Sequence, residues 1–322
     1  MKGDHTGMKI YIADPQIRTE QIQALAAALP KNWTLAQAAG GVDAILTENV
    51  DVTPQLLTAV GDVLKVVFCL KPGEARVAET PARVIDLPTT GLTGVAEYVV
   101  GLMLMLSRRL LWVIRKTNEA AWIPGRDQPI LTDQRKYTYN WVGLPESGTL
   151  YNKKVGIVGL GFIGRELAKR LRPFNTRLYY TDVQRLDPQM EKSLDVRWRE
   201  LDDLLGECDF ISLHLRFQEG PSGNDRMFGG REFGLMKPNA YFINTSRGRV
   251  VDEEALVAAL KSGQIAGAAL DVFYYEPLPP NHPLLAMAGD QVILTPHVSG
   301  VFNDESWRIT AAEMIDHLNE LC

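Results

Sequence analysis

The sequence predicts an α/β fold with two doubly wound parallel sheets. Short apolar, β-branched runs alternate with helical patterns twice along the chain, over residues 9–87 and again over residues 154–298, and the stretch between 118 and 150 has no sustained period. Strands that are apolar on both faces and separated by helices are typical of parallel sheets covered on each side. Because 322 residues are more than one ordinary core needs, we expect two domains.

The individual runs define the expected elements. In the first alternation the strands are expected at 9–13, 43–46, 64–70 and 83–87, and the helices at 19–29 and 54–60. In the second, the strands are expected at 155–160, 177–183, 210–215, 240–246, 266–272 and 291–298, and the helices at 164–171, 200–205, 233–236 and 252–260. This βα rhythm predicts a parallel sheet in each half. A last helix is expected near residues 304–321.

Composition is that of an ordinary globular protein, with 46% hydrophobic and 23% charged residues. Lysine and arginine total 34 against 39 aspartate and glutamate residues, a net charge of −5, so nucleic acid is not an expected partner. Cys69, Cys208 and Cys322 lie in or beside apolar runs. They are interpreted as reduced thiols, which favours a reducing, cytoplasmic location.

The segment Val95–Ile114 is apolar enough to be mistaken for a membrane span. Glu97, Arg108 and Arg109 interrupt it before it reaches the length that a bilayer requires. We therefore predict one buried helix here and no membrane partner, and we expect no export signal.

A glycine motif follows the first strand of the second alternation. Gly159, Gly161 and Gly164, with Phe162 and Ile163 between them, lie directly after an apolar strand and open a helix. In this context the glycines allow a tight turn, close approach of a pyrophosphate and packing of helix on strand. The motif predicts a dinucleotide site at a helix N-terminus.

An acidic residue at the end of the next strand indicates which dinucleotide. Asp182 can accept hydrogen bonds from the adenosine ribose hydroxyls and would repel a 2′-phosphate, so NAD is favoured over NADP. Arg185 could weaken that preference by pairing with a phosphate. The alternative is that the glycines only form a tight turn and Asp182 is a surface acid.

Three more segments, at 244–248, 269–277 and 295–300, lie at expected strand ends, where open α/β sheets bind ligands. With the glycine motif, they make the chain resemble the D-isomer-specific 2-hydroxyacid dehydrogenases from about Thr93 to Gly300. The resemblance implies an NAD-dependent oxidoreductase that transfers a hydride to or from C2 of a small 2-hydroxy or 2-keto acid. Over the first ninety residues it is mostly architectural.

The resemblance also implies catalytic roles. Arg247 would hold the substrate carboxylate and polarise the carbonyl, Glu276 would be the partner of a histidine, and His297 would be the acid/base. The chemistry agrees with these roles, since hydride transfer leaves an oxyanion that needs a proton and histidine titrates in the right range. Arginine's planar fork matches a carboxylate with two hydrogen bonds.

Other residues are implied to line the cofactor. Asp271 would hold the nicotinamide end, with His214 and Thr245 in neighbouring loops. A metal site is not expected, because the histidines, acids and cysteines lack the close paired spacing of zinc or iron sites.

The resemblance implies a Rossmann NAD-binding domain inserted in a flavodoxin-like substrate domain. The NAD-binding domain is expected at 95–297, and the substrate domain at 1–94 with 298–322. Hinges near Leu92–Val95 and Val298–Val301 would let the two domains close during hydride transfer.

Two segments depart from the family pattern. The family's glycine-rich substrate loop is replaced by the segment 69–75, where Leu70 and Lys71 are expected to contact the substrate. Lys71 could serve an acid with extra negative charge, or be a solvated loop residue. The longer segment Trp122–Trp141 could close over a larger substrate or form a dimer arm, and we expect a homodimer.

Two further functions share these motifs. One is an NAD(H)-sensing interaction protein of the co-repressor type. The other is a phosphite-type dehydrogenase, which Lys71 would suit. Formate oxidation is disfavoured, since Glu276 stands where the formate enzymes of the family carry glutamine.

Overall fold

The computed structural model describes residues 7–15, 17, 19–48, 50–70, 76–87, 90–289, 291–300 and 304–321. The chain separates into two compact units. Unit 1 comprises Met1–Gly94 and Gly300–Cys322, and unit 2 comprises Val95–Ser299.

Each unit is built on one sheet, and every strand pairing within the two sheets is parallel. The strands are β1 Lys9–Ile12, β2 Thr34–Ala36, β3 Ala44–Thr47, β4 Val66–Cys69, β5 Arg83–Asp86, β6 Lys154–Val158, β7 Arg177–Thr181, β8 Val196–Trp198, β9 Phe210–Leu213, β10 Tyr241–Asn244, β11 Gly267–Leu270 and β12 Val292–Leu294. The strand orders are β2-β1-β3-β4-β5 in unit 1 and β12-β11-β10-β9-β6-β7-β8 in unit 2. These are the flavodoxin-like and Rossmann orders, so the predicted fold class is confirmed.

Helices connect the strands in both units. They are α1 Thr19–Ala28, α2 Pro54–Val60, α3 Thr90–Arg108, α4 Leu110–Asn118, α5 Phe162–Leu171, α6 Pro188–Leu194, α7 Leu201–Glu207, α8 Gly230–Leu235, α9 Glu253–Ser262, α10 Pro283–Met287 and α11 Asp304–Leu321. The sequence patterns missed β2, β8, α6 and α10. These elements have three to seven residues, which is too short for a periodic pattern to emerge.

The expectation of one helix over Val95–Ile114 is wrong. Arg109 adopts the left-handed conformation, with φ 50° and ψ 42°, and divides the segment into α3 and α4. The buried residues of α3 include Val95, Val99, Leu102 and Leu106, which recur at the three- and four-residue spacing of one helix face. Among the described helices, none is long and apolar enough to cross a membrane.

The core of unit 2 lies on both faces of its sheet. Neighbouring residues of β10 belong to different hydrophobic clusters, with Phe242 in one and Ile243 in the other. This follows from the alternation of side chains along a strand. Phe242 is fully buried, and its ring centroid lies 5.5 Å from that of Phe228 and 5.1 Å from that of Phe233.

Truncating this aromatic cluster should destabilise unit 2. We expect Phe242→Ala to lower the free energy of unfolding by about 3–5 kcal/mol, because it removes a buried ring and leaves a cavity. Urea denaturation followed by circular dichroism measures the change. Val183→Ala is the control, since Val183 is fully exposed and its truncation should change the value by no more than about 0.5 kcal/mol. Equal effects of the two changes would contradict the burial seen here.

Candidate active site

The candidate site residues lie at one edge of the unit 2 sheet. Parallel strands carry their carboxyl ends to the same edge, where open α/β sheets bind ligands. Six strands end there in a predicted site residue or lead into one: β6 at Gly159, β7 at Asp182, β9 at His214, β10 at Thr245, β11 at Asp271, and β12 at the turn that carries His297.

The glycine loop has little room for side chains at two positions and open space at a third. Gly159 has φ +92°, and a Cβ there would lie 2.5 Å from the His214 carbonyl oxygen. A Cβ at Gly164 would lie 2.4 Å from the Gly159 carbonyl oxygen. A Cβ at Gly161, the N-cap of α5, would meet nothing within 4 Å. The loop is therefore tightly packed against the protein and open on the side where a phosphate would approach.

Asp182 is tied to the same loop. Its Oδ2 accepts a hydrogen bond from the backbone N–H of Leu160 at 2.6 Å. This bond fixes the carboxylate beside the glycine turn. Arg185 pairs with Glu191, with Nε–Oε1 at 2.9 Å and Nη2–Oε2 at 3.1 Å, and stacks over Trp198. The arginine that could have favoured a 2′-phosphate is thus engaged with protein groups.

His297 and Glu276 form a hydrogen-bonded pair. Nδ1 of His297 lies 2.7 Å from Oε2 of Glu276, and Oε1 of Glu276 accepts the backbone N–H of Phe273 at 3.0 Å. A carboxylate oxygen accepts hydrogen bonds, so in this pair Nδ1 carries the proton, and Nε2 is the ring nitrogen that does not face Glu276. The imidazole is half exposed. The pair is accessible to a small molecule.

Asp271 anchors the turn that carries His297. It is fully buried, its Oδ1 accepts from Thr295 Oγ1 at 2.6 Å and from the Val298 N–H at 3.0 Å, and its Oδ2 accepts from the Ser299 N–H at 2.8 Å. Within this turn His297 has φ +54°, a conformation that needs local support. This anchoring was not foreseen from the sequence.

The Arg247 segment is held against the Glu276 segment. The Nδ2 of Asn244 donates to the Arg247 carbonyl at 3.0 Å, and the Arg247 Nη1 donates to the Ser246 carbonyl at 2.7 Å. A Cβ at Gly248 would lie 1.9 Å from the carbonyl carbon of Phe273. Only glycine allows this close approach of two backbones. The structure thus brings the loop after β10 onto the residues that lead to Glu276.

Thr245 and His214 complete the predicted cofactor-lining set. The Oγ1 of Thr245 is buried and has no hydrogen-bond partner among the described residues, although buried polar atoms are nearly always paired. An orphaned hydroxyl at this edge fits a group supplied by a ligand. Nε2 of His214 lies 2.9 Å from Oγ of Ser212, and burial lowers the pKa of His214 to about 4.

The predicted substrate loop belongs to unit 1. The Leu70 side chain is fully buried, and its N–H donates to the Thr47 carbonyl at 2.8 Å. Its side chain therefore packs in the core and does not face solvent. Lys71 lies outside the described residues.

Residues 100–299 match the family model for the NAD-binding domain of D-isomer specific 2-hydroxyacid dehydrogenases. The chain belongs to this family. The resemblance predicted from the motifs is confirmed, and the chain carries the family's NAD-binding domain.

Individual proteins that the chain resembles are also named as reductases or dehydrogenases. A glyoxylate reductase of Thermofilum pendens is 40% identical over 205 residues, which are 64% of this chain and 55% of that protein, so less than two thirds of the relative is spanned. A glyoxylate/hydroxypyruvate reductase B of Cronobacter sakazakii is 32% identical over 95% of this chain and 87% of that protein. A D-isomer specific 2-hydroxyacid dehydrogenase of Lactobacillus delbrueckii, solved with NAD, has a TM-score of 0.66 at 21% identity, covering 97% of this chain and 96% of that chain. That structure shows the shared fold.

In this family member an arginine cluster joins two loops of the site edge. The guanidinium of Arg249 stacks 4.2 Å from the ring centroid of Phe217 and pairs with Glu219 at 2.7 Å and Asp225 at 3.2 Å. It thereby ties the loop after His214 to the segment after Arg247. No periodic pattern predicted this cluster, because the contact joins residues about thirty positions apart. Among the described residues no group of three or more histidine, cysteine or acidic side chains could hold a metal ion.

His214 should make the dehydrogenase domain less stable as pH falls. Its native pKa of about 4 lies below the value of about 6.5 expected when unfolded, so between these values the unfolded chain binds more protons and unfolding is favoured. We expect wild type to lose roughly 1–2 kcal/mol more than His214→Gln between pH 7 and pH 5. Urea denaturation at both pH values measures this difference. The same pH dependence in both proteins would refute a neutral His214 whose pKa is lowered in the folded state.

Proposed function

We propose that the chain is an NAD(H)-dependent D-2-hydroxyacid dehydrogenase that interconverts a small 2-keto acid and its 2-hydroxy acid. The observation that carries the proposal is the 2.7 Å pair of His297 and Glu276, on the sheet edge where the glycine loop also lies. The relatives named as glyoxylate and glyoxylate/hydroxypyruvate reductases support this class. They do not favour the co-repressor or phosphite alternatives.

The site residues supply the proton chemistry. When bound, NADH supplies the hydride that reduces C2 of the keto acid. His297 in its imidazolium form donates the Nε2 proton to the C2 oxygen, and in the reverse direction neutral Nε2 accepts it from the hydroxyl. Glu276 holds the Nδ1 proton and stabilises the positive charge that the ring carries before reduction. The acid/base cycle therefore needs no other titrating group.

Arg247 binds the substrate carboxylate in this proposal. Its guanidinium can make two parallel hydrogen bonds to the carboxylate while its charge polarises the neighbouring carbonyl. Leu70 and the ammonium of Lys71 are likewise proposed as substrate contacts. In this scheme 95–297 is the NAD-binding domain, and 1–94 with 298–322 is the substrate domain.

The dinucleotide is proposed to lie along the site edge. The backbone of Gly159, Gly161 and Gly164 and the first turn of α5, with Phe162 and Ile163, would bind the pyrophosphate. Asp182 would accept hydrogen bonds from the adenosine ribose, which favours NAD.

The nicotinamide half is proposed to contact the other three residues. The unpaired Thr245 hydroxyl and the loop at His214 would line it, and Asp271 would hold the nicotinamide end in addition to anchoring the His297 turn.

A reducing, cytoplasmic location is part of the proposal and is supported by the free, buried thiols of Cys69 and Cys208.

A keto-acid panel with NADH and NADPH tests the proposal. We expect NADH oxidation with at least one acid, and we expect His297→Ala to lower kcat by roughly 100-fold or more, because the general acid is lost. The NADH dissociation constant, measured by fluorescence titration, should stay near the wild-type value. His317→Ala, a histidine on α11 in unit 1, should keep wild-type turnover. Near wild-type kcat in His297→Ala would remove His297 as the acid, whereas tight NADH binding without turnover of any acid would favour the co-repressor alternative.

We also propose that the enzyme is a homodimer. Large apolar side chains are exposed along α4 and the following segment, including Ile114 at 53%, Leu131 at 90%, Tyr139 at 75% and Trp141 at 43%. So many exposed apolar groups in one stretch are typical of a surface that another protein covers.

Light scattering after size exclusion tests the assembly. The wild type should elute as a dimer, and Leu131→Asp should raise the dimer dissociation constant by about tenfold or more, because a charge would be buried at the contact. Val63→Asp, a control at an exposed valine of unit 1, should leave it unchanged. A monomeric wild type at micromolar concentration would exclude the homodimer.

A further inference from the structure

An apolar cavity of about 530 Å³ lies in unit 2 beside the candidate catalytic pair. Its apolar lining, here called the apolar subsite, consists of Phe273, Pro277, Leu278, Leu285, Leu294 and Pro296. His297, Glu276 and Thr295 form the rest of the wall. The cavity is thus continuous with the groups that would handle the proton.

The lining indicates the chemical class of the occupant. Ligand pockets of this size are mostly apolar, with a few polar groups that fix orientation. Here the polar groups are the acid/base pair and Thr295, and the rest of the wall is aliphatic, aromatic or proline. A purely structural void would be closed over, but Leu285 is 42% exposed and His297 is half exposed, so the cavity opens to solvent.

We propose that the apolar subsite receives the side chain of the substrate, and that the preferred substrates are 2-keto acids with a branched aliphatic or aromatic group at C3. This inference rests on the proposed function. With the C2 oxygen at Nε2 of His297 and the C1 carboxylate on Arg247, which does not line the cavity, the substituent on C3 is the group left to extend along the apolar wall beside His297. Each buried methylene then removes apolar surface from water in the bound state.

The same lining disfavours acids with a second charge. A distal carboxylate in the apolar subsite would lose its hydration and lie near the carboxylate of Glu276. Very small acids such as glyoxylate would leave the cavity filled with water. The preferred substrates expected for this chain therefore differ from glyoxylate and hydroxypyruvate, the acids in the names of its relatives.

Steady-state kinetics with NADH test the preference. We compare kcat/KM for glyoxylate, pyruvate, 4-methyl-2-oxopentanoate, phenylpyruvate and 2-oxoglutarate. We expect 4-methyl-2-oxopentanoate to exceed pyruvate by at least about tenfold, and 2-oxoglutarate to fall below pyruvate, since even one methylene in an apolar pocket is worth roughly tenfold. Competitive inhibition by 4-methylpentanoate should likewise be stronger than by acetate, which reports binding without turnover.

A matched pair of variants assigns the preference to the cavity. Leu285→Asp should lower the ratio of kcat/KM between 4-methyl-2-oxopentanoate and pyruvate by about fivefold or more. Leu235→Asp is the control, because Leu235 lies on another short helix at 37% exposure, close to the 42% of Leu285, and does not line the cavity. It should keep the wild-type ratio.

The outcomes separate the inference from the proposed function. Turnover of glyoxylate or pyruvate with no gain for the larger apolar acids would overturn the apolar subsite and leave the dehydrogenase intact. The apolar subsite would also be overturned if Leu285→Asp dissociates a dimer but leaves the ratio of kcat/KM between 4-methyl-2-oxopentanoate and pyruvate unchanged. The cavity would then be a contact between two copies of the chain. Absence of turnover with every acid would remove both proposals.

Discussion

The carboxylate of Asp271 lies fully buried at the end of β11 and accepts three hydrogen bonds, from Thr295, Val298 and Ser299. A buried charge is costly unless it is fully hydrogen-bonded, so the turn over residues 295–299 must stay closed around it. That turn holds His297 in a left-handed conformation. The position of the His297 imidazole therefore depends on the hydrogen bonds that the Asp271 carboxylate accepts, although Asp271 has no proposed part in the proton transfer.

The segment from Asp271 to Glu276 joins three parts of the site. Its first residue fixes the His297 turn, its backbone at Phe273 packs against Gly248 beside Arg247, and its last residue holds Nδ1 of His297. Because the Asp271 carboxylate is fully buried and the Phe273–Gly248 contact joins two backbones, these contacts leave little freedom for the segments of Arg247, Glu276 and His297 to drift apart. A short segment after one strand thus organises loops from the two neighbouring strands.

The sequence alone predicted those features of the fold and the site that depend on local sequence patterns. Apolar strands alternating with helices predicted both parallel sheets, and the glycine loop and strand-end motifs predicted the site edge of unit 2. The break at Arg109 was not predictable, because helices form on both sides of it and no glycine or proline in the sequence marks the left-handed residue between them.

The anchoring role of Asp271 and the Arg249 cluster depend on contacts between residues that are distant in sequence. The apolar subsite was missed for the same reason. Its lining comes from three separate stretches, which include the residues after Glu276, the helix α10 and the end of β12. Only the fold brings them together.

His297 is both the proposed proton donor and a wall of the apolar subsite, and this links specificity to catalysis. A side chain that fills the cavity displaces water from one face of the His297–Glu276 pair. With less water, the attraction between imidazolium and carboxylate strengthens, and the field at Nε2 depends more on the fixed protein groups than on solvent. An apolar substituent on the substrate would therefore add binding free energy through its own burial. It would also remove water from the His297 imidazole, the proposed proton donor. Under this proposal a small acid that leaves the cavity filled with water gains neither effect, so selectivity would arise at His297 itself and would need no separate recognition element.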